Sequence, residues 1–137
     1  MRSLTNDTMQ RATKGQPEPT IGMGATLLSY SDRHAATITA VNSLSYNRWD
    51  CLIRVQQDVA RMVSGSGHDG SAVYEFTRNP EAKVLMFARR VGTGRWDSVR
   101  LAEYKHRSGA TSSRFVSADV GRGLAIGFRS EYYDPHF

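Results

Sequence analysis

What this 137-residue sequence has little of narrows its class first. It holds one cysteine, Cys51, which excludes an intramolecular disulfide framework and any zinc site built from several cysteines. No run approaches the roughly 18 consecutive apolar residues of a membrane-spanning helix, and no basic stretch leading into an apolar run reads as a signal peptide. Acidic residues are the scarcer sign, thirteen against eighteen basic, for a formal net charge of +5. The length suits one domain, or one domain with a tail, and suffices to bury a hydrophobic core. These features predict a soluble intracellular domain with an anionic partner.

Fifteen of the eighteen basic residues are arginine, whose fixed fork of donors grips phosphate or carboxylate better than the point charge of lysine does. A GC-rich coding bias is the bland alternative. The charge is also unevenly placed. Between Lys83 and Arg129 ten basic residues face three acidic ones, whereas the rest of the chain carries eight basic and ten acidic. That asymmetry predicts an electropositive surface in the second half.

Residues 1–20 read as a polar arm, closed by Gly15, Pro17 and Pro19. Ser3 or Thr5 is placed to cap a short helix through Met9 to Thr13. From residue 21 onward the pattern has period two, and residues 21–137 read as a single β-rich domain. Expected strands lie at Ala25–Tyr30, Ala35–Val41, Cys51–Gln57, Val73–Thr77, Lys83–Arg90, Arg95–Val99 and Leu124–Arg129. In the third of these, Cys51, Ile53 and Val55 share one face and Arg54 and Gln56 the other. Two segments stay open: 58–63 as continued strand or helical turn, and 101–107 as strand or short helix. Residues 64–71 and 109–113 read as loops, and Val91-Gly92-Thr93-Gly94 as a tight hairpin connection. The predicted fold is mainly β, a small antiparallel β-sandwich or barrel-like core with a short N-terminal helix or arm.

No catalytic constellation or cofactor is expected. Histidines 34, 68, 106 and 136 lack the spacing that puts two imidazoles on one helix face, and no carboxylate–histidine cluster suggests a metal. His68-Asp69 is the nearest approach to a paired base, but adjacent loop residues rarely hold a triad geometry. Four G-x-G pairs occur, and none continues to a G-x-x-G spacing followed by a plausible helix, so dinucleotide-fold and phosphate-loop readings fail. Two of them place arginines, Arg89, Arg90 and Arg95 in one case and Arg122 in the other, beside backbone able to turn N–H groups toward an anion. A hairpin turn with solvated arginines is the plainer alternative.

A nucleotide binder pairs arginine with an exposed ring, because a base stacks while a guanidinium holds its phosphate. The candidate pairs are Tyr30 with Arg33, Phe87 with Arg89, Trp96 with Arg95, and Tyr132 and Tyr133 with Arg129. Tyr74, Phe76, Phe87 and Phe128 sit in apolar strand patterns that also suit a core. Consecutive tyrosines on a strand point to opposite faces, so one of Tyr132 and Tyr133 is expected to be exposed or to meet another subunit. Trp49, after Arg48, reads as a core lid or an interface anchor.

Three segments read together: Gly22-Met23-Gly24-Ala25-Thr26, Ser31-Asp32-Arg33-His34-Ala35-Ala36-Thr37-Ile38, and the closing Arg129-Ser130-Glu131-Tyr132-Tyr133-Asp134-Pro135-His136-Phe137. A glycine-rich start, an S-D-R-x-A-x-T run and a Y-Y-D tail closed by Phe resemble the phage anti-Thoeris sponges, the first type of Thoeris anti-defence protein. The resemblance covers about residues 21–137. It implies a non-enzymatic protein in the cytoplasm of the host bacterial cell, sequestering cyclic ADP-ribose isomers and, in some members, cyclic oligonucleotides. It further implies a β-rich core with a helical addition, assembled as dimers that form hexamers. Carried over, Arg33 and Arg129 become phosphate contacts and Phe87 the adenine-stacking ring; Arg89 and Tyr132 complete the ligand-binding candidates. A small β-barrel nucleic-acid binder and a virion or assembly protein are the alternatives.

Overall fold

The computed structural model describes residues 16–29, 32–46, 48–65, 71–118 and 122–132. Its elements are β1 (Gly24–Ser29), β2 (Asp32–Ser43), β3 (Trp49–Gln57), β4 (Val59–Ser64), β5 (Val73–Thr77), β6 (Val84–Arg90), β7 (Trp96–Lys105), β8 (Thr111–Ser117) and β9 (Arg122–Ile126). The described residues contain no helix, and the fold is all-β. The expected helix at residues 9–13 lies outside the described residues.

Seven strands form one antiparallel sheet in the order β8-β7-β6-β3-β2-β1-β9, and β4 and β5 form a separate hairpin. β3 is central and buried on both faces, as its register explains. Cys51, Ile53 and Val55 point into the main core with Ala25, Leu27, Ile38, Phe87, Trp96, Leu124 and Ile126. Leu52 points the other way, into a smaller cluster with Trp49, Ala88 and Val99. The main core thus takes side chains from β1 and β9 at one end of the sheet and from β7 near the other. The sheet curls around them in a barrel-like arc.

The last residues of the expected arm pack against this sheet. Pro19 is buried. Gln16 accepts a hydrogen bond from Trp96 Nε1 at 3.0 Å. Pro17 packs so closely on Gly127 (φ +96°) that a Cβ there would lie 2.8 Å from its ring.

The structure decides the two segments left open and corrects two expected boundaries. Residues 59–64 form β4, a strand of their own: Asp58 N–H still donates to Ala35 C=O of β2 at 2.9 Å, and from Val59 onward the chain pairs with β5 instead. Residues 101–105 continue β7. The expected loop at 109–113 is mostly strand: Gly109 (φ +88°) turns the chain, and β8 pairs from Thr111 onward. Its Ser- and Thr-rich start hides the alternation because this edge strand is largely exposed. β9 stops at Ile126, three residues short of the expected end, where Gly127 redirects the chain. The hairpin at 91–94 forms as expected, with Gly92 and Gly94 at positive φ and Arg90 N–H donating to Arg95 C=O at 2.7 Å.

Candidate functional site

The five candidate residues separate into a half-buried arginine bridged to an exposed tyrosine, two neutralised arginines and one core ring. Arg33 and Tyr132 meet directly. Each backbone N–H donates to the other's carbonyl at 2.9 Å, an isolated antiparallel bridge alongside the part of β2 that extends past β3. Tyr132 is 40% exposed, and the Arg33 guanidinium meets no carboxylate among the described residues. Tyr30, Ser31 and Tyr133, which adjoin this corner in sequence, lie outside the described residues, as do His68 and Asp69.

The chain reaches that bridge as a strap laid over β1 and β2. Thr26 Oγ1 donates to the Phe128 carbonyl at 2.9 Å. Arg129 Nε donates to Asp58 Oδ2 at 2.8 Å, and Nη2 to Thr37 Oγ1 at 2.9 Å. Thr37 in turn donates to Asp58 Oδ1 at 2.7 Å, closing a three-residue network. Glu131 accepts from Ala35 N–H at 2.7 Å and lies 3.4 Å from His34 Nδ1. Asp58 and Glu131 side chains are each only 1% exposed, so the ends of the strap are held by buried carboxylates. The charge of Arg129 is therefore met by Asp58 within the fold, and the residue pins the strap rather than presenting a free phosphate fork.

Arg89 lies elsewhere. Its Nε donates to Asp50 and its Nη1 to Glu18, both at 3.0 Å, and the guanidinium sits 5.8 Å from the Trp96 ring centroid. Burial disfavours the charge, but the two carboxylates outweigh it and hold the guanidinium pKa above its ordinary value. Two carboxylates around one arginine leave no local excess for an anion. Phe87 is fully buried in the main core, so neither ring face is open to a base. Its place opposite Ile53 in the β3–β6 register explains why an apolar strand position and a stacking position look alike in sequence.

Sequence reasoning missed a second place. On the sheet face opposite the main core, a cleft of about 650 Å³ is lined by Ser45, Tyr46, Arg48 and Trp49 on one side and by residues 114–117 of β8 on the other. The β2–β3 turn supplies its first wall, with Leu44 N–H donating to Asp50 C=O at 3.1 Å and Tyr46 N–H to Trp49 C=O at 3.3 Å. Trp49, 3% exposed, is fixed by its Nε1 donating to Asp97 Oδ2 at 3.0 Å. Arg90 Nε donates to the same oxygen at 3.1 Å, so that carboxylate is already neutralised. Tyr46 stands 5.9 Å from Phe115 and 6.4 Å from Trp49 between ring centroids, with 37% of its surface open. The only advance signal was the aromatic–arginine–aromatic spacing of Tyr46, Arg48 and Trp49. The opposite wall, Phe115 and Arg114, lies on the strand whose start reads as a loop.

Among the described residues no group of three or more His, Cys, Asp or Glu is placed to hold a metal, and no helix is long and apolar enough to cross a membrane. Comparison with family models, with curated proteins and with solved structures finds no match to this chain.

Proposed function

We propose that this protein is a binding protein that sequesters a cyclic nucleotide signal, in the manner of the anti-Thoeris sponges it resembles, and performs no chemistry on it. The observation that carries this reading is the Arg33–Tyr132 bridge. Arg33 of the S-D-R run and Tyr132 of the Y-Y-D tail, almost a hundred residues apart in sequence, pair through their backbones, which sets an exposed ring beside an arginine with no acidic partner among the described residues. In this reading Arg33 holds a phosphate and Tyr132 offers a face to the adenine. Cyclic ADP-ribose isomers are the proposed ligands. A chain this short leaves little depth for a pocket of its own, so the site is completed by a second copy in a dimer or hexamer. The setting is the cytoplasm of an infected bacterial host, where stoichiometric capture replaces turnover.

The test is retention. The protein is incubated with a panel of cyclic nucleotides, washed, heat-denatured, and the released material identified by mass spectrometry. An intact cyclic ADP-ribose isomer at about one per site is expected. Release of a hydrolysed product points to an enzyme instead, and no retained nucleotide overturns the reading.

A further inference from the structure

β8 ends the seven-stranded sheet, and among the described residues no strand pairs with its outer edge. Its register with β7 runs unbroken from Thr111 to Ser117, without the bulge, proline or lysine by which edge strands are blunted. The ladder decides which backbone groups stay open. His106 N–H donates to Ala110 C=O at one end, and Ala118 N–H to Ser98 C=O at the other, both at 2.8 Å. Even-numbered residues of β8 therefore bond to β7, and the N–H and C=O groups of Thr111, Ser113, Phe115 and Ser117 point to the open edge.

Side chains divide between two faces along the same strand. Phe115, opposite Leu101, lies on the cleft side with Tyr46 and Trp49. Leu101 is 51% exposed, so apolar surface continues past the cleft, and beyond it Glu103 and Lys105 offset one another. Arg114 and Arg100 lie on the reverse face, where Arg114 covers the Tyr104 ring at 4.2 Å and neither strand places an acid. The cleft is lined by four consecutive residues, 114–117, and successive side chains of a strand alternate, so its wall includes β8 backbone.

An extended peptide matches the open edge, the apolar cleft side and the basic reverse side together. Added antiparallel to β8, its residues opposite Ser113, Phe115 and Ser117 turn their side chains to the cleft, and the residues between them turn theirs to Arg114 and Arg100. The first set is then apolar and the second acidic. A second copy of β8 matches less well, because it brings Arg114 and the basic ribbon of Arg100, Lys105 and Arg107 against the same charges. We propose that β8 is a strand-addition site for an extended segment of a partner protein in which apolar and acidic residues alternate. This site is independent of the Arg33–Tyr132 corner.

The test uses the full chain and a fluorescein-labelled peptide of about nine residues, alternating leucine with glutamate, with binding followed by anisotropy. Methylating the leucine backbone nitrogens is expected to abolish binding, because those N–H groups bond to β8. Methylating the glutamate nitrogens, which point away, is expected to spare it. Ser113→Pro removes one edge donor while leaving the β7 ladder whole, and is expected to weaken binding by roughly tenfold, as is Tyr46→Ala. Arg114→Glu is expected to shift preference toward a peptide with lysine in place of glutamate. Arg33→Ala, which addresses the sponge site, is expected to leave peptide binding unchanged, so the two readings fail separately. Absence of binding overturns the proposal. The same effect from both methylation patterns overturns strand addition, a readout that does not depend on Ser113→Pro folding. Equal affinity of the unmutated chain for the lysine peptide overturns the acidic partner. Self-association that Ser113→Pro abolishes, without peptide binding, overturns the partner segment and gives the edge to a second copy.

Discussion

Arg129 and Asp58, 71 residues apart in sequence, form a 2.8 Å ion pair beneath the C-terminal strap, and Thr37 bonds both partners. The carboxylate is buried while the guanidinium keeps 30% exposure, so the two ends are unequal. Loss of the arginine strands a buried charge; loss of the carboxylate releases a group that water can still reach. The pair holds the segment that carries Tyr132 to Arg33.

Arg129→Ala is therefore expected to destabilise the fold by about 3 kcal/mol, because Asp58 retains only Thr37 as a partner. Adding Asp58→Asn is expected to restore part of that loss, since no buried charge then remains. Urea unfolding midpoints of the single and double variants measure both effects. A double variant no more stable than Arg129→Ala alone contradicts this account of the pair.

Gly24 is tied to the same pin. A Cβ there would lie 2.7 Å from Arg129 Nη1 and 3.0 Å from its Cγ. Gly24→Ala should cost about 1–3 kcal/mol by pushing the guanidinium off Asp58. The cost should shrink to a few tenths in an Arg129→Ala background, which a double-mutant cycle in thermal unfolding reads directly.

Phe87 and Arg33 are expected to separate stability from ligand capture. Phe87→Ala empties a fully buried position and should lose about 3–5 kcal/mol of stability. Arg33→Ala removes a side chain with no acidic partner among the described residues, so the melting temperature should hold within about 2 °C. Its affinity for a cyclic ADP-ribose isomer should fall by on the order of 1.5–3 kcal/mol, measured by calorimetry. A stable Phe87→Ala variant that loses ligand selectively would return the ring to the binding site.

Cys51 gives a pH signature. Burial pushes its thiol up, against the lowering influence of Arg89, with Asp50 and Glu18 adding to the rise. At about pH 8 the folded protein should react with a thiol reagent far more slowly than the urea-unfolded chain does. Because the native pKa lies above the unfolded one, the unfolded chain loses this proton first as pH rises. The thiol's contribution is thus full below the unfolded pKa and is lost as pH climbs toward the native value. Stability of the native protein relative to Cys51→Ala should therefore decline on raising pH from about 8 to 10.

The strands that alternate cleanly, such as β3 with Cys51, Ile53 and Val55 on one face, were legible because burial of one sheet face imposes period two on the sequence. β8 was harder to read for the converse reason: an edge strand beginning Thr111-Ser112-Ser113 buries little, so little constrains its side chains. The candidate residues show the same limit. Arg33, Arg89 and Arg129 are the same side chain with the same formal charge, and only their neighbours differ. Asp50 and Glu18 claim one and Asp58 another, while Arg33 meets no acid among the described residues.

By itself, then, the sequence determined the β character of residues 21–129, the hairpin at Gly92 and Gly94, and the basic excess of the second half. These follow from local periodicity, turn chemistry and composition, which need no partner from elsewhere in the chain. Only the tertiary structure decided which arginines are neutralised, that Phe87 is core, that Arg33 meets Tyr132, and that Tyr46, Trp49 and Phe115 form one cleft. Each of those facts depends on which distant carboxylate or ring the sheet order β8-β7-β6-β3-β2-β1-β9 brings within a few ångströms, and a coulombic or packing contact exists only at that range.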